Sequence, residues 1–352
     1  MMKMNKWTMA LAAAGVVSLS SVAQAQEAAA GADALAASTT LSGYVSSSYT
    51  LADSGGADIA KTNEDSDQFK LDVVSLTLAS AQGAGEYATG YTVQLWAGPD
   101  DQGTASTGTE EAIELVQANI DLRLPVGNGL DLKVGQFGTV VGYEVYDYTG
   151  NAFFQRGLGF SVEPTHHTGV LASYQLNDDL AISLGAVNDT TSAVTNNSAD
   201  DGSSAFLTTL SYTVGDGAGM LSGTSLYYGG VHGAGTGVDT HYVAVGLPVP
   251  VEGLSVDVAA DWVDGASDAD DEIYQIYAAY TLSDKATLNA RYEFGTIDGA
   301  AGTTARTGLE SVAVGVTYDL WDNVISRVEY MSTSADGVED DDTLAINLVY
   351  SF

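Results

Sequence analysis

The chain has no cysteine, so disulfides and thiolate metal sites are both closed to it. It is poor in positive charge, with 11 Lys and Arg against 46 Asp and Glu. Phosphate contacts need Lys and Arg, so nucleic acid is excluded as a partner. Proline is scarce at five residues. Beyond the N-terminus, no stretch approaches the roughly 20 apolar residues that a membrane helix requires.

What is present begins with an export pattern. Lys3 and Lys6 form a basic n-region, "MALAAAGVVSL" an apolar run, and Ala23-Gln24-Ala25 a small-x-small cleavage pattern. Residues 1–25 therefore read as a signal peptide, 26–38 as a flexible leader and 39–352 as one structural unit. An exported chain without helical anchor or disulfides belongs to the periplasm, the exterior or an outer membrane. Without Lys3 and Lys6, nine basic residues face 46 acidic ones, a formal charge of −37. Such acidity reads first as an adaptation for solubility or high salt. With 40 Gly and 19 Tyr, the composition suits strands.

The last ten residues, "TLAINLVYSF", alternate strictly. Leu344, Ile346, Leu348, Tyr350 and Phe352 share one face, and Thr343, Ala345, Asn347, Val349 and Ser351 the other. Similar period-2 stretches recur sixteen times from residue 39 to 352, each about the 9–11 residues that cross a bilayer at a tilt. The ninth, near 221–231, alternates poorly. Short connections such as 177–179, 283–285 and 320–322 take turns with longer ones such as 52–67, 98–112, 190–203 and 296–308. That segregation is expected of an outer-membrane barrel, with short periplasmic turns and longer outer loops. On the apolar faces the sole charge expected is Glu114, at a strand end. Tyr174, Tyr212, Tyr280, Tyr318 and Tyr350 gather near short turns, and Phe69, Trp262, Tyr274, Phe294 and Tyr330 near long loops. Two aromatic rings fit two membrane interfaces. The fold expected is an all-β, transmembrane, antiparallel barrel of about sixteen strands, with the last strand closing beside the first. Outer-membrane lipid and lipopolysaccharide are then its surroundings.

The longest connection, 139–165, lies between the fifth and sixth strands. Its surroundings, "GQFGTVVGYEVYDYTGNAFFQRGLGFSVEPTHHTGVLASY", resemble the OmpL-like β-barrel porin family. The residues that carry the resemblance are Gly135 and Phe137, Gly142 and Glu144, then Pro164, His167, Thr168 and Gly169. The match is local, about forty residues; elsewhere it rests on architecture. The resemblance implies a porin, and similarity to general sixteen-stranded porins implies that this loop folds inward as a constriction. It also favours a homotrimer, with a barrel stable alone as the other option. The terminal Tyr350 and Phe352 resemble the signal read by the outer-membrane assembly machinery.

A barrel of this size leaves a watery channel. Glu144, Asp147, Glu163 and Arg156 on the loop, with Arg123, Lys133, Arg291 and Arg327 on the wall, are the candidate constriction residues. Two arrangements are open: loop carboxylates opposing wall cations across the pore, or charges that satisfy neighbouring strands. The acid excess, including "DADDE" (268–272) and "EDDDT" (339–343), predicts cation preference and passage of small hydrophilic solutes. Those clusters could hold Ca²⁺ or Mg²⁺ weakly; no cofactor or dedicated metal site is expected. An enzyme is not expected. His166 and His167, beside Ser161 and Glu163, are its best candidates, and no Gly-x-Ser-x-Gly or His-Glu-x-x-His accompanies them. A non-conducting structural or adhesive barrel, and a substrate-specific channel, are the rival readings. Inward Tyr44, Trp96 and Tyr277 stand on separated strands, too thin a basis for an aromatic sugar track.

Overall fold

The structure is a computed structural model that describes residues 38–54, 68–98, 113–188, 204–233, 238–265, 270–298, 306–337 and 340–352. The segments read as signal peptide and, but for Ser38, as leader lie outside the described residues. So does much of the long loops.

The strands are β1 (Thr39–Ser54), β2 (Gln68–Ser80), β3 (Thr89–Ala97), β4 (Ile113–Leu124), β5 (Leu130–Gly138), β6 (His166–Gln175), β7 (Leu180–Val187) and β8 (Ala205–Thr213). They continue with β9 (Ser225–Gly233), β10 (Asp239–Leu247), β11 (Leu254–Asp264), β12 (Asp270–Ser283), β13 (Ala286–Asp298), β14 (Arg306–Trp321), β15 (Val324–Ala335) and β16 (Asp341–Ser351). Each pairs with its sequence neighbour and β1 pairs antiparallel with β16, so the sheet is a closed barrel. Closure leaves no unpaired strand edge, which is what a bilayer core demands. No helix among the described residues is long and apolar enough to cross a membrane.

Alternation decides the faces. In β16, Asn347 and Val349 are fully buried, whereas Leu348 and Tyr350 are 44% and 49% exposed. The exposed set would meet lipid, and the buried set points into the lumen. Around the long-loop end, Trp262 meets Tyr274 edge-on at 6.1 Å and Tyr274 stacks on Phe294 at 5.3 Å. Tyr212, Tyr280, Tyr318 and Tyr350 are exposed toward the short-turn end.

Three details differ from the sequence expectations. β9 starts at Ser225 and not near 221, because Met220 and Leu221 belong to an exposed 3-10 turn, Gly219–Leu221. Gly229 and Gly230 then hide the alternation that follows. Glu114 faces inward, buried, and accepts a hydrogen bond from the Tyr146 hydroxyl at 3.1 Å. A bulge opposite Gln94 and Leu95 adds Val116 to β4 and reverses the facing of residues before it. Glu310 is exposed on the outward face of β14 instead. Finally, connection lengths alternate less evenly than expected: 214–224 on the short-turn side exceeds 234–238 on the other.

Closure is tightest at Gly43. Its N–H donates to the Phe352 carbonyl at 3.0 Å and its carbonyl accepts from Phe352 N–H at 2.9 Å. A β-carbon there would lie 2.2 Å from the Ser75 carbonyl oxygen and 2.8 Å from the Phe352 ring. Gly43→Val should therefore obstruct the seam between β1 and its neighbours. The expected outcome is a smaller fraction of chains migrating as the compact, heat-modifiable barrel on a cold gel; wild-type yield would remove the seam's dependence on Gly43.

Candidate functional site

The connection from β5 to β6, residues 139–165, begins by pairing with itself: Thr139 N–H donates to the Thr165 carbonyl at 2.9 Å. Short polar side chains then shape it. Asp147 caps the 3-10 turn Tyr148–Gly150 by accepting from Thr149 N–H at 2.9 Å. Asn151 brackets the same turn, accepting from Val145 N–H and donating to the Val145 and Asp147 carbonyls. A one-turn helix, Leu158–Val162, follows.

The loop crosses the lumen. On one side it lies against β1, β3 and β4: Tyr146 and Tyr148 stack on Trp96, at 4.5 and 5.8 Å, and Gln94 donates to Asp147 at 2.9 Å. On another it meets β9, β11 and β12. Tyr227 donates to the Val140 carbonyl, while Tyr143 stacks on Tyr277 at 3.6 Å and donates to Asp257 at 3.0 Å. In a ring of sixteen, β13 stands across from β5. There the loop is fixed most firmly.

Arg291 of β13 pairs with Glu144 at 2.5 Å and with Glu293 at 3.0 Å, with all three side chains almost fully enclosed. The guanidinium also donates to the Gln155 carbonyl and sits 5.1 Å above the Phe153 ring. Glu293 accepts from Leu158 and Gly159 N–H at 3.0 and 3.1 Å. Glu329 of β15 accepts from Phe154 and Gln155 N–H at 2.6 and 2.7 Å. Arg327 donates to the Tyr148 and Asn151 carbonyls at 2.9 and 3.0 Å. Loop backbone donors thus meet wall carboxylates, and loop carbonyls meet a wall guanidinium. Each buried charge is paired or hydrogen-bonded, as burial requires.

The other candidate residues fall into separate places. Arg156 donates to the Tyr146 carbonyl at 2.7 Å and lies about 5 Å over the Tyr148 and Phe160 rings. Arg123 pairs with Asp131 at 2.9 Å and Lys133 with Asp121 at 2.6 Å, both between β4 and β5. Arg123 also reaches the Asn128 carbonyl of the short turn, so this pair is set apart from the loop. Glu163 is buried against Gly142 and hydrogen-bonds to the Asp261 carboxyl. Burial, followed by the charge of Asp261, raises its pKa well above the ordinary carboxylate range. His166 meets the Tyr146 ring edge-on at 4.6 Å, while His167 Nε2 lies 3.0 Å from Thr139 Oγ1. His166 thus meets the loop at Tyr146 and His167 meets it at its first residue, Thr139. Tyr350 and Phe352 stack at 6.3 Å on the outer face, remote from the lumen.

The aromatic contacts were the feature hardest to anticipate. Tyr44 and Trp96, distant in sequence, meet edge-on at 6.4 Å. Tyr143, Tyr146 and Tyr148 reach their ring partners from a loop with no period to reveal its direction.

A closed, lipid-faced barrel with a polar lumen spanned by a loop is a porin architecture, and its place is the bacterial outer membrane. The family described as "Putative beta-barrel porin-2, OmpL-like" matches residues 38–351, and the chain belongs to it. No curated protein matches. Among solved structures, the chain is similar to OmpTΔL8 of Vibrio cholerae, with 14% identity and TM-score 0.62, covering 89% of this chain and 99% of that one. It is similar to an anion-selective porin from Comamonas acidovorans, with 13% identity and TM-score 0.60, covering 90% and 99%. The trimer form of Vibrio cholerae OmpT gives 13% identity and TM-score 0.58, covering 89% and 99%. At these identities the likeness concerns the fold.

Two outcomes follow from this arrangement. Arg291→Met leaves two carboxylates enclosed without their cation, and loss of one partner of a buried pair costs about 3–5 kcal/mol. Urea unfolding in micelles should show that loss, and adding Glu144→Gln with Glu293→Gln should recover most of it. The second concerns pH. Because the docked loop raises the Glu163 pKa, docking favours the protonated acid; its contribution is full at pH below the ordinary carboxylate range and fades as pH rises through the elevated value. Bilayer currents should grow larger or noisier as pH rises, and Glu163→Gln should flatten the response.

Proposed function

We propose that this protein is a passive diffusion channel for small hydrophilic solutes and ions, with a preference for cations. The observation that carries this reading is the charge balance of the lumen. Arg291, Arg123 and Lys133 are each matched by carboxylates. Setting aside the enclosed Glu163–Asp261 pair, the buried carboxylates among the described residues are Asp72, Glu114, Glu144, Asp257, Glu293, Glu329 and Asp341, against Lys133, Arg156, Arg291 and Arg327, and Asp147 adds a half-buried one. Surplus negative charge in a narrow aqueous passage concentrates cations and repels anions. A porin of similar fold is described as anion-selective, so the cation preference proposed here draws on lining charge and not on the fold.

Family membership supports a channel over an enzyme, and the supporting contacts of His166 and His167 agree with that. A homotrimer is supported by the trimeric form named for one structural neighbour. We take residues 1–25 as the signal peptide and 26–38 as the leader, with Tyr350 and Phe352 presented to the assembly machinery and lipopolysaccharide around the outer rim. Weak Ca²⁺ or Mg²⁺ association belongs with the acidic loops; residues 268–269 and 339 of those clusters lie outside the described residues. A second reading, a structural barrel that does not conduct, draws on the loop's contacts with opposite walls. It predicts a correctly inserted but silent protein.

Single-channel recording in a planar bilayer under a salt gradient separates these readings. Stepwise currents with a cation-selective reversal potential are expected, and Asp147→Lys should move that potential toward zero. Anion selectivity would discard the charge argument, and silence would favour the structural reading.

A further inference from the structure

Two of the four histidines have no part in the lumen. His232 near the end of β9 and His241 near the start of β10 lie on the outward face at the long-loop end. Asp239 stands opposite His232 in register, and His241 follows two residues later on the same face. One ligand atom from each of the three falls within 4.8 Å of the others.

The donors are already oriented. Thr208 Oγ1 lies 3.0 Å from His232 Nε2, and the Tyr228 hydroxyl lies 3.0 Å from His241 Nδ1. His232 Nδ1 and His241 Nε2 are left for another partner. Asp239 Oδ1 accepts from Gly233 N–H at 2.8 Å, which leaves Oδ2. Imidazoles and carboxylates steadied by outer hydrogen bonds are the usual support of a metal centre. Gly230 makes the convergence sterically feasible. A β-carbon at this position would lie 2.6 Å from His232 Nε2, 2.6 Å from the Tyr228 hydroxyl and 2.8 Å from Thr208 Oγ1.

We propose that His232, Asp239 and His241 form a binding site for a divalent transition metal of the zinc class, which staples β9 to β10. Two imidazoles and one carboxylate suit Zn²⁺; Ca²⁺ and Mg²⁺ prefer all-oxygen sets. Ligand atoms about 2.0–2.1 Å from a tetrahedral ion lie about 3.3 Å apart, so small side-chain rotations close the site. The fourth position goes to water. Trp262 faces His241 across the β10–β11 pair and belongs to the aromatic girdle, which puts the site at the lipid–water boundary with access from the aqueous side.

The test uses the full chain folded in detergent micelles and stripped with a chelator. Zn²⁺ should raise the unfolding midpoint, Mg²⁺ should not, and Co²⁺ should produce the visible absorption of a tetrahedral centre. His232→Ala/His241→Ala should abolish both signals, and Asp239→Asn should weaken binding by about tenfold or more. His167→Ala should leave both intact. Because alanine could disturb the hairpin, His232→Gln/His241→Gln keeps side-chain bulk and polar partners, and it too should lose the signals. Absence of a zinc-dependent shift in the wild type, or its survival in the glutamine variant, would overturn the proposal.

Discussion

A polypeptide surrounded by hydrocarbon has nowhere to place an unpaired backbone N–H or carbonyl, and this constraint sets the rest of the structure. Strands satisfy it only as a closed ring. Sixteen of them leave a lumen wider than side chains can fill, so something else must occupy it. The chain meets that need with 27 residues of irregular backbone, 139–165, which bring new unpaired polar groups into an enclosed space. The wall answers with Arg291, Glu293, Arg327 and Glu329, whose charged atoms take up the loop's carbonyls and N–H groups. The lumen's charges on this wall are thus a consequence of the ring's size as much as of any solute.

The division of labour among those charges is uneven. Glu293 and Glu329 bind loop backbone, so their value lies in holding a shape. Glu144 belongs to the loop but meets both Arg291 and, at 2.7 Å, the N–H of Gly157, tying the loop's first half to its second. Asp147 and Glu163 remain with polar or like-charged company. Asp147, the half-buried one of the two, is the group on which the proposed cation preference draws.

The ring was legible because alternation is repeated in sixteen stretches, and a face error in one is outvoted by the others. Where the reading failed, the cause was local. Val116 is one extra residue in β4, and no period-2 count can detect a bulge that its partner strand defines. At β9, adjacent glycines removed the very side chains that alternation needs. The loop was legible as a long insertion at the right place, and its charged members could be named from residue type. Their partners could not. Arg291 and Glu144 are separated by 147 positions, and only closure of the ring makes them neighbours. Arg123 and Asp131, by contrast, flank a single short turn, where cross-strand pairing was an arrangement the sequence left open.

The distance in sequence between the loop and its anchors also ties its docking to the closing strands of the ring. Phe154 is bonded to Glu329, 175 residues further on, and Arg327 in turn holds Asn151. Contacts of such separation bear a closure cost until the intervening chain is in place. The loop emerges after the fifth strand with partners already behind it on β1, β3 and β4, whereas its charged anchors on β13 and β15 lie far ahead in the chain. One stretch of chain, β13 to β16, thus supplies both the seam of the ring and the clasp of the loop that crosses it.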